Sequence, residues 1–129
     1  MRKALILLAA WAALSHFSSH VSSAPAELGM ELMQTIEDTN KSLASNIALR
    51  DAKASLSDAA ELDGLLAQVE THFVARGDAS NAVDLSRQSR TLTQKIIQSV
   101  NASDFDGATD AATGLSRTCR TCHTFYKKE

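Results

Sequence analysis

The sequence predicts an all-α fold, an antiparallel up-down-up-down bundle of four helices. Three observations carry the prediction. The single proline is Pro25, so no helix breaker interrupts the chain after it. Glycine is scarce, with 5 in 129 residues, and no segment alternates apolar and polar side chains as a strand does. Apolar residues recur instead every three to four positions, in four long segments parted by short polar breaks.

Ahead of these segments the N-terminus reads as a secretory signal. Arg2 and Lys3 supply a positive start and Ala4 to Leu14 an apolar stretch. Ser15 to Ala26 then offer small residues suited to cleavage after Ser23 or Ala26. The apolar stretch is well short of the ~20 residues needed to span a bilayer, so no membrane span is expected after cleavage. The expected organisation is a removed signal over residues 1–25 and a single domain over 26–129, a length that supports one core.

The first helix is expected from Glu27 to about Asn46, with Leu28, Leu32, Met33, Ile36, Leu43 and Ile47 as its apolar stripe. A second, starting at Asp51 or Ser57, buries Leu56, Ala59, Leu62, Leu66, Val69 and Phe73 and stops at Arg76, where Gly77 supplies a C-terminal glycine. The third covers Ser80 to Ala102, with Val83, Leu85, Leu92, Ile96, Ile97 and Val100 inward. Its polar centre, Ser86 to Arg90, makes it the weakest core face. Ser103 with Asp106 reads as a capping box opening the fourth helix, Asp104 to about Lys127. Ala108, Ala111, Ala112, Thr113 and Gly114 keep its first half narrow. Leu115, Cys119, Cys122, His123 and Tyr126 then fall along one face.

Cys119-Arg120-Thr121-Cys122-His123 has the C-x-x-C-H spacing of covalent haem attachment. Two thiols three residues apart on a helix present to one edge of a macrocycle. The adjacent imidazole can bind the iron as proximal ligand. Three other readings fit less well. A thioredoxin-like pair opens a helix after a strand, and no strand pattern is present. Zinc needs about four Cys or His ligands, whereas the chain has two cysteines and His72 as its one further histidine after cleavage. A disulfide within a continuous helix leaves His123 without a role. One covalently bound haem c, held between the helices, is therefore the expected cofactor. Export agrees, because haem is attached outside the bacterial cytoplasm, and the expected location is the periplasm. His72 reads as a surface residue, and Phe73, Phe105 and Phe125 as core or haem-edge residues. Arg87, Arg90 and Lys53 are candidate partners for the haem propionates.

From Glu27 onward, 11 lysines and arginines oppose 15 aspartates and glutamates, a net charge of −4. That argues against nucleic acid or an anionic membrane as partner. Arg117, Arg120, Lys127 and Lys128 nevertheless surround the motif. They serve either as cations at a helix C-terminus or as a basic collar for an acidic redox partner protein in the periplasm. No Ser-His-Asp set, nucleotide loop or paired-carboxylate pattern points to an enzyme.

In this architecture, with C-x-x-C-H on its last helix and the continuation His123-Thr124-Phe125-Tyr126-Lys127, the chain resembles the cytochrome c-prime family, the class II c-type cytochromes. The resemblance covers the whole domain. It implies that one residue of the first helix faces the iron opposite His123. A methionine there gives a low-spin electron carrier, and an apolar residue a five-coordinate, high-spin iron that binds NO or CO. Met33 and Met30 are available. From Met33 the inward positions are Ile36, Asn40 and Leu43; from Met30 they include Glu37, which is costly to bury. Met33 is therefore the expected distal ligand. The family often carries an arginine four residues earlier, where this chain has Gly29. The resemblance also allows a homodimer through the first two helices. One-electron transfer by a His123/Met33-ligated haem is the expected function, and gas binding by a five-coordinate haem its alternative.

Overall fold

The computed structural model describes residues 28–126, and the expected signal sequence lies outside them. Four helices follow one another: α1 Met30–Ala48, α2 Ala52–Arg76, α3 Ser80–Asn101 and α4 Phe105–Tyr126. Each packs against the next, and α4 closes more loosely onto α1, forming an all-α four-helix bundle.

The connections are short, and capping sets where each helix begins. After α1, Arg50 takes a left-handed conformation (φ 55°), and Asp51 then caps α2 by accepting a hydrogen bond from Ala54 N at 3.0 Å. This resolves the alternative starts at Asp51 and Ser57. The turn before α4 repeats the device. Ser103 adopts φ 59°, and the Asp104 carboxylate accepts from Gly107 N at 2.9 Å. The expected Ser103–Asp106 capping box is thus replaced by an Asp104 cap. Left-handed Ser103 closes the turn through its own N–H, which donates to Val100 O at 2.9 Å, while Asp106 lies 3.6 Å from Arg50. Gly77 ends α2 at φ 74°, as its sequence position predicts.

Core residues follow the expected stripes in α1 and α2, with Leu43, Leu62, Ile96 and Leu115 fully enclosed. On α4, Thr118 is buried below Leu115, whereas His123, expected on the same face, is exposed. The third helix departs. It buries Ala82, Ser86, Ser89, Thr93, Ile96 and Val100, whereas Val83, Leu85, Leu92 and Ile97 are only partly covered. Its hydroxyls are accommodated by bonding back along the helix, Ser86 Oγ to Ala82 O at 2.6 Å and Thr93 Oγ1 to Ser89 O at 2.9 Å. In α2, Ser55 replaces Leu56 as the fully buried residue of the first turn.

Side-chain volumes explain this choice. A Cβ on Gly114 would meet Leu92 Cδ2 at 3.2 Å, so these positions lie at one level on antiparallel helices. The narrow first half of α4 (Ala108, Ala111, Ala112) is therefore level with the bulky half of α3 (Ile96, Val100). The small half of α3 (Ala82, Ser86, Ser89) is level with the end of α4 that carries the cysteines. The narrow first half of α4 is thus filled by the bulky side chains of α3, and the smaller side chains at the motif end come from α3.

Candidate functional site

The site is built at the bundle end formed by the start of α1, the end of α2, the start of α3 and the end of α4. Cys119 and Cys122 are half-buried, three residues apart on α4, and their thiols are free. Cys119 also packs against the core. Burial pushes both thiols above the usual cysteine pKa, and Cys122 adds a like-charge contribution at Cys119. Thiols raised in this way stay protonated at neutral pH and lack the activated thiolate of a redox pair. His123 follows on the exposed side of the same turn. Among the described residues no group of three or more His, Cys, Asp or Glu is arranged to hold a metal ion, which leaves the zinc reading without a ligand set.

Aromatic residues border this end. Phe73 is buried and lies 5.2 Å from the Tyr126 ring, centroid to centroid, tying the end of α2 to the end of α4. His72 is half-buried and stands edge-on to Phe73 at 5.1 Å. Phe125 is 57% exposed and Phe105 sits beside Arg50 at the far end, so of the three phenylalanines assigned to core or haem edge only Phe73 is fully buried. Arg87 and Arg90 are engaged by acidic residues of α2. Arg87 Nε donates to Glu70 at 2.9 Å, and Arg90 donates to Asp63 at 3.1 Å and to Glu70 at 3.0 Å. Lys53 lies in the first turn of α2, at the opposite end of the bundle. Arg117 and Arg120 are exposed on α4, whereas Lys127 and Lys128 lie outside the described residues.

The relation of Met33 to His123 follows from helix register. Two polar pairs join the α1 side of the bundle to α4: Arg50 with Asp106 at 3.6 Å, and Asn40 Nδ2 donating to Ser116 Oγ at 3.3 Å. Ten residues back along the chain from Arg50 correspond to ten forward from Asp106, as antiparallel helices of equal rise require. Seven further residues reach Met33 on α1 and His123 on α4. Seven residues are close to two full turns, so each returns to the face that bears Asn40 or Ser116, about 10 Å further along. By this register Met33 and His123 fall at about one level, with the Met33 side chain half-buried and the His123 side chain exposed. Met33 is half-buried against the core, whereas Met30 is 85% exposed.

A shallow groove of about 150 Å³ opens along the same α1–α4 seam, lined by Ala44, Ile47, Ala48, Thr109, Ala112, Thr113 and Ser116. It lies toward the other end and includes none of the predicted site residues. Sequence reasoning placed Asn40 on the inward face of the first helix but did not pair it with Ser116. The polar interruption of an otherwise apolar stripe was the available signal.

Two half-buried thiols on one turn, an adjacent exposed imidazole and a half-buried thioether at about the same level on α1 are donor types compatible with covalent haem. No family model matches the chain, nor does any curated protein or solved structure.

Proposed function

We propose that this chain is a periplasmic monohaem c-type cytochrome of the cytochrome c-prime type, carrying one electron through a low-spin haem ligated by His123 and Met33. What supports it is the Cys119–Cys122–His123 motif on the last helix, together with the register of the Asn40–Ser116 and Arg50–Asp106 pairs. By helix periodicity that register brings half-buried Met33 of the first helix to about the same level. When bound, haem c supplies an iron that alternates between the ferrous and ferric states.

The residues have distinct tasks. Cys119 and Cys122 tether the group through thioether bonds, which holds it at a bundle end that encloses the thiols only partly. His123 would offer an imidazole nitrogen on the exposed side of α4. Met33 would supply its sulfur from α1, and thioether ligation of haem iron raises the reduction potential relative to two imidazoles. The hydroxyls of Thr121 and Thr124 bond to their own helix, at Arg117 O and Arg120 O, and leave the donor set undisturbed. A packed bundle under these ligands changes little between oxidation states, which favours fast exchange.

The test is an absorption spectrum of protein expressed in a periplasm with haem-maturation machinery, oxidised, reduced and then exposed to CO. A low-spin spectrum with a methionine-to-iron charge-transfer band and no CO response is expected. A high-spin, CO-reactive spectrum replaces electron transfer by gas binding. A colourless product, or normal holoprotein yield from His123→Ala, overturns the haem assignment.

A further inference from the structure

We propose that the Asn40–Ser116 hydrogen bond is a register pin, a pair of positioning residues that hold α1 at the height where Met33 faces His123. The inference rests on the haem reading above and adds what keeps the distal ligand in place.

The need for a pin follows from the seam itself. Between Asn40 and the α1–α2 turn, a shallow groove runs between α1 and α4, and apart from Ile47 its lining is small: Ala44, Ala48, Ala112 and Thr113. Small side chains make shallow holes, and they leave the axial position of a helix poorly specified. Consecutive helices pack more closely than α1 does on α4. A slip of one residue moves α1 by about 1.5 Å and turns it by about 100°, which replaces Met33 by Leu32 or Gln34 at the facing position.

Two polar contacts oppose such a slip. Arg50–Asp106 is long at 3.6 Å and its side chains are 67% and 95% exposed, so it constrains little. Asn40–Ser116 is part-buried, and it lies two turns from both proposed ligands on the faces that bear them. A part-buried polar pair across a seam favours the register in which both partners meet, because a slip breaks the bond and leaves each side chain partly covered without its partner.

The experiment compares apparent CO affinity in ferrous holoprotein carrying Ser116→Ala, Asn40→Leu, or the exchanged pair Asn40→Ser with Ser116→Asn. CO binds only where the sixth position is open, so its apparent affinity reports the population without Met33. Loss of one net hydrogen bond raises that population roughly two- to tenfold. The expected result is this rise in both single variants, with a weakened methionine charge-transfer band, and a return toward wild type in the exchanged pair. Asp104→Ala, which weakens a helix cap elsewhere, is expected to lower thermal stability without raising CO affinity. Unchanged CO affinity in both single variants overturns the pin while leaving the haem assignment intact. An equal rise in Asp104→Ala also overturns it, by reducing the effect to general stability. A colourless protein overturns the haem assignment and the pin together.

Discussion

Replacing Ser55 with alanine is expected to stabilise this protein, against the usual direction for a fully buried position. Ser55 is 0% exposed in the first turn of α2, and its Oγ has no hydrogen-bond partner among the described residues. A hydroxyl desolvated without a partner costs about 1–3 kcal/mol. Alanine removes that cost and gains roughly half a kcal/mol of helix propensity. The void left by one oxygen offsets part of the gain, so a net stabilisation of about 1–2 kcal/mol is expected. For a domain of this size that corresponds to a rise in Tm of roughly 4–12 °C.

Ser86→Ala is the matched control. That hydroxyl is as deeply placed but donates to Ala82 O at 2.6 Å, so its removal gives up a bond and should change stability by less than about 1 kcal/mol. Urea unfolding followed by helical circular dichroism measures both variants, and an unchanged m-value keeps the comparison one of stability alone. A destabilised Ser55→Ala, or equal effects of the two substitutions, refutes the reasoning. The Ser55 hydroxyl then has a bonded partner in solution, such as a bridging water.

Three further outcomes follow from particular contacts. Asp104→Ala removes the carboxylate that accepts from Gly107 N and should cost about 1 kcal/mol by the same urea assay, whereas Asp106→Ala should cost little; the reverse order restores the capping box at Ser103. Arg87 and Arg90 hold the Glu70 carboxyl below its ordinary value of 4.5, so its contribution is present above about pH 4.5 and is lost as pH falls through the depressed folded value. Glu70→Gln should therefore flatten the acid limb of stability against pH, and an unaltered limb shows that the network contributes nothing. Met33→Leu should convert the low-spin holoprotein to a high-spin, CO-reactive one while Met30→Leu leaves it low-spin; the opposite pattern makes Met30 the ligand.

Much of this molecule can be read without its coordinates. Four helices follow from local rules, namely the three-to-four spacing of apolar residues, the absence of proline after Pro25 and glycine at position 77. The attachment motif is equally local, since its chemistry depends on a spacing within one helical turn. The errors cluster where neighbouring helices decide. Ser86, Ser89 and Thr93 are buried because α3 offers small side chains to the face of α4 that carries Leu115 and Thr118, and single-helix patterning prefers Val83 and Leu92. Gly114 is small because Leu92 lies against it, which no spacing within α4 reveals. Ser103 lost its capping role to Asp104 because the incoming turn left it at φ 59°. The helices and their number were legible in the sequence because they depend on residues within one or two turns, and the proposal for Cys119, Cys122 and His123 rests on the same local spacing. Tertiary packing set the register of α1 on α4, which joins helices more than seventy residues apart in the chain through Asn40 and Ser116 and leaves Met33 half-buried and Met30 exposed.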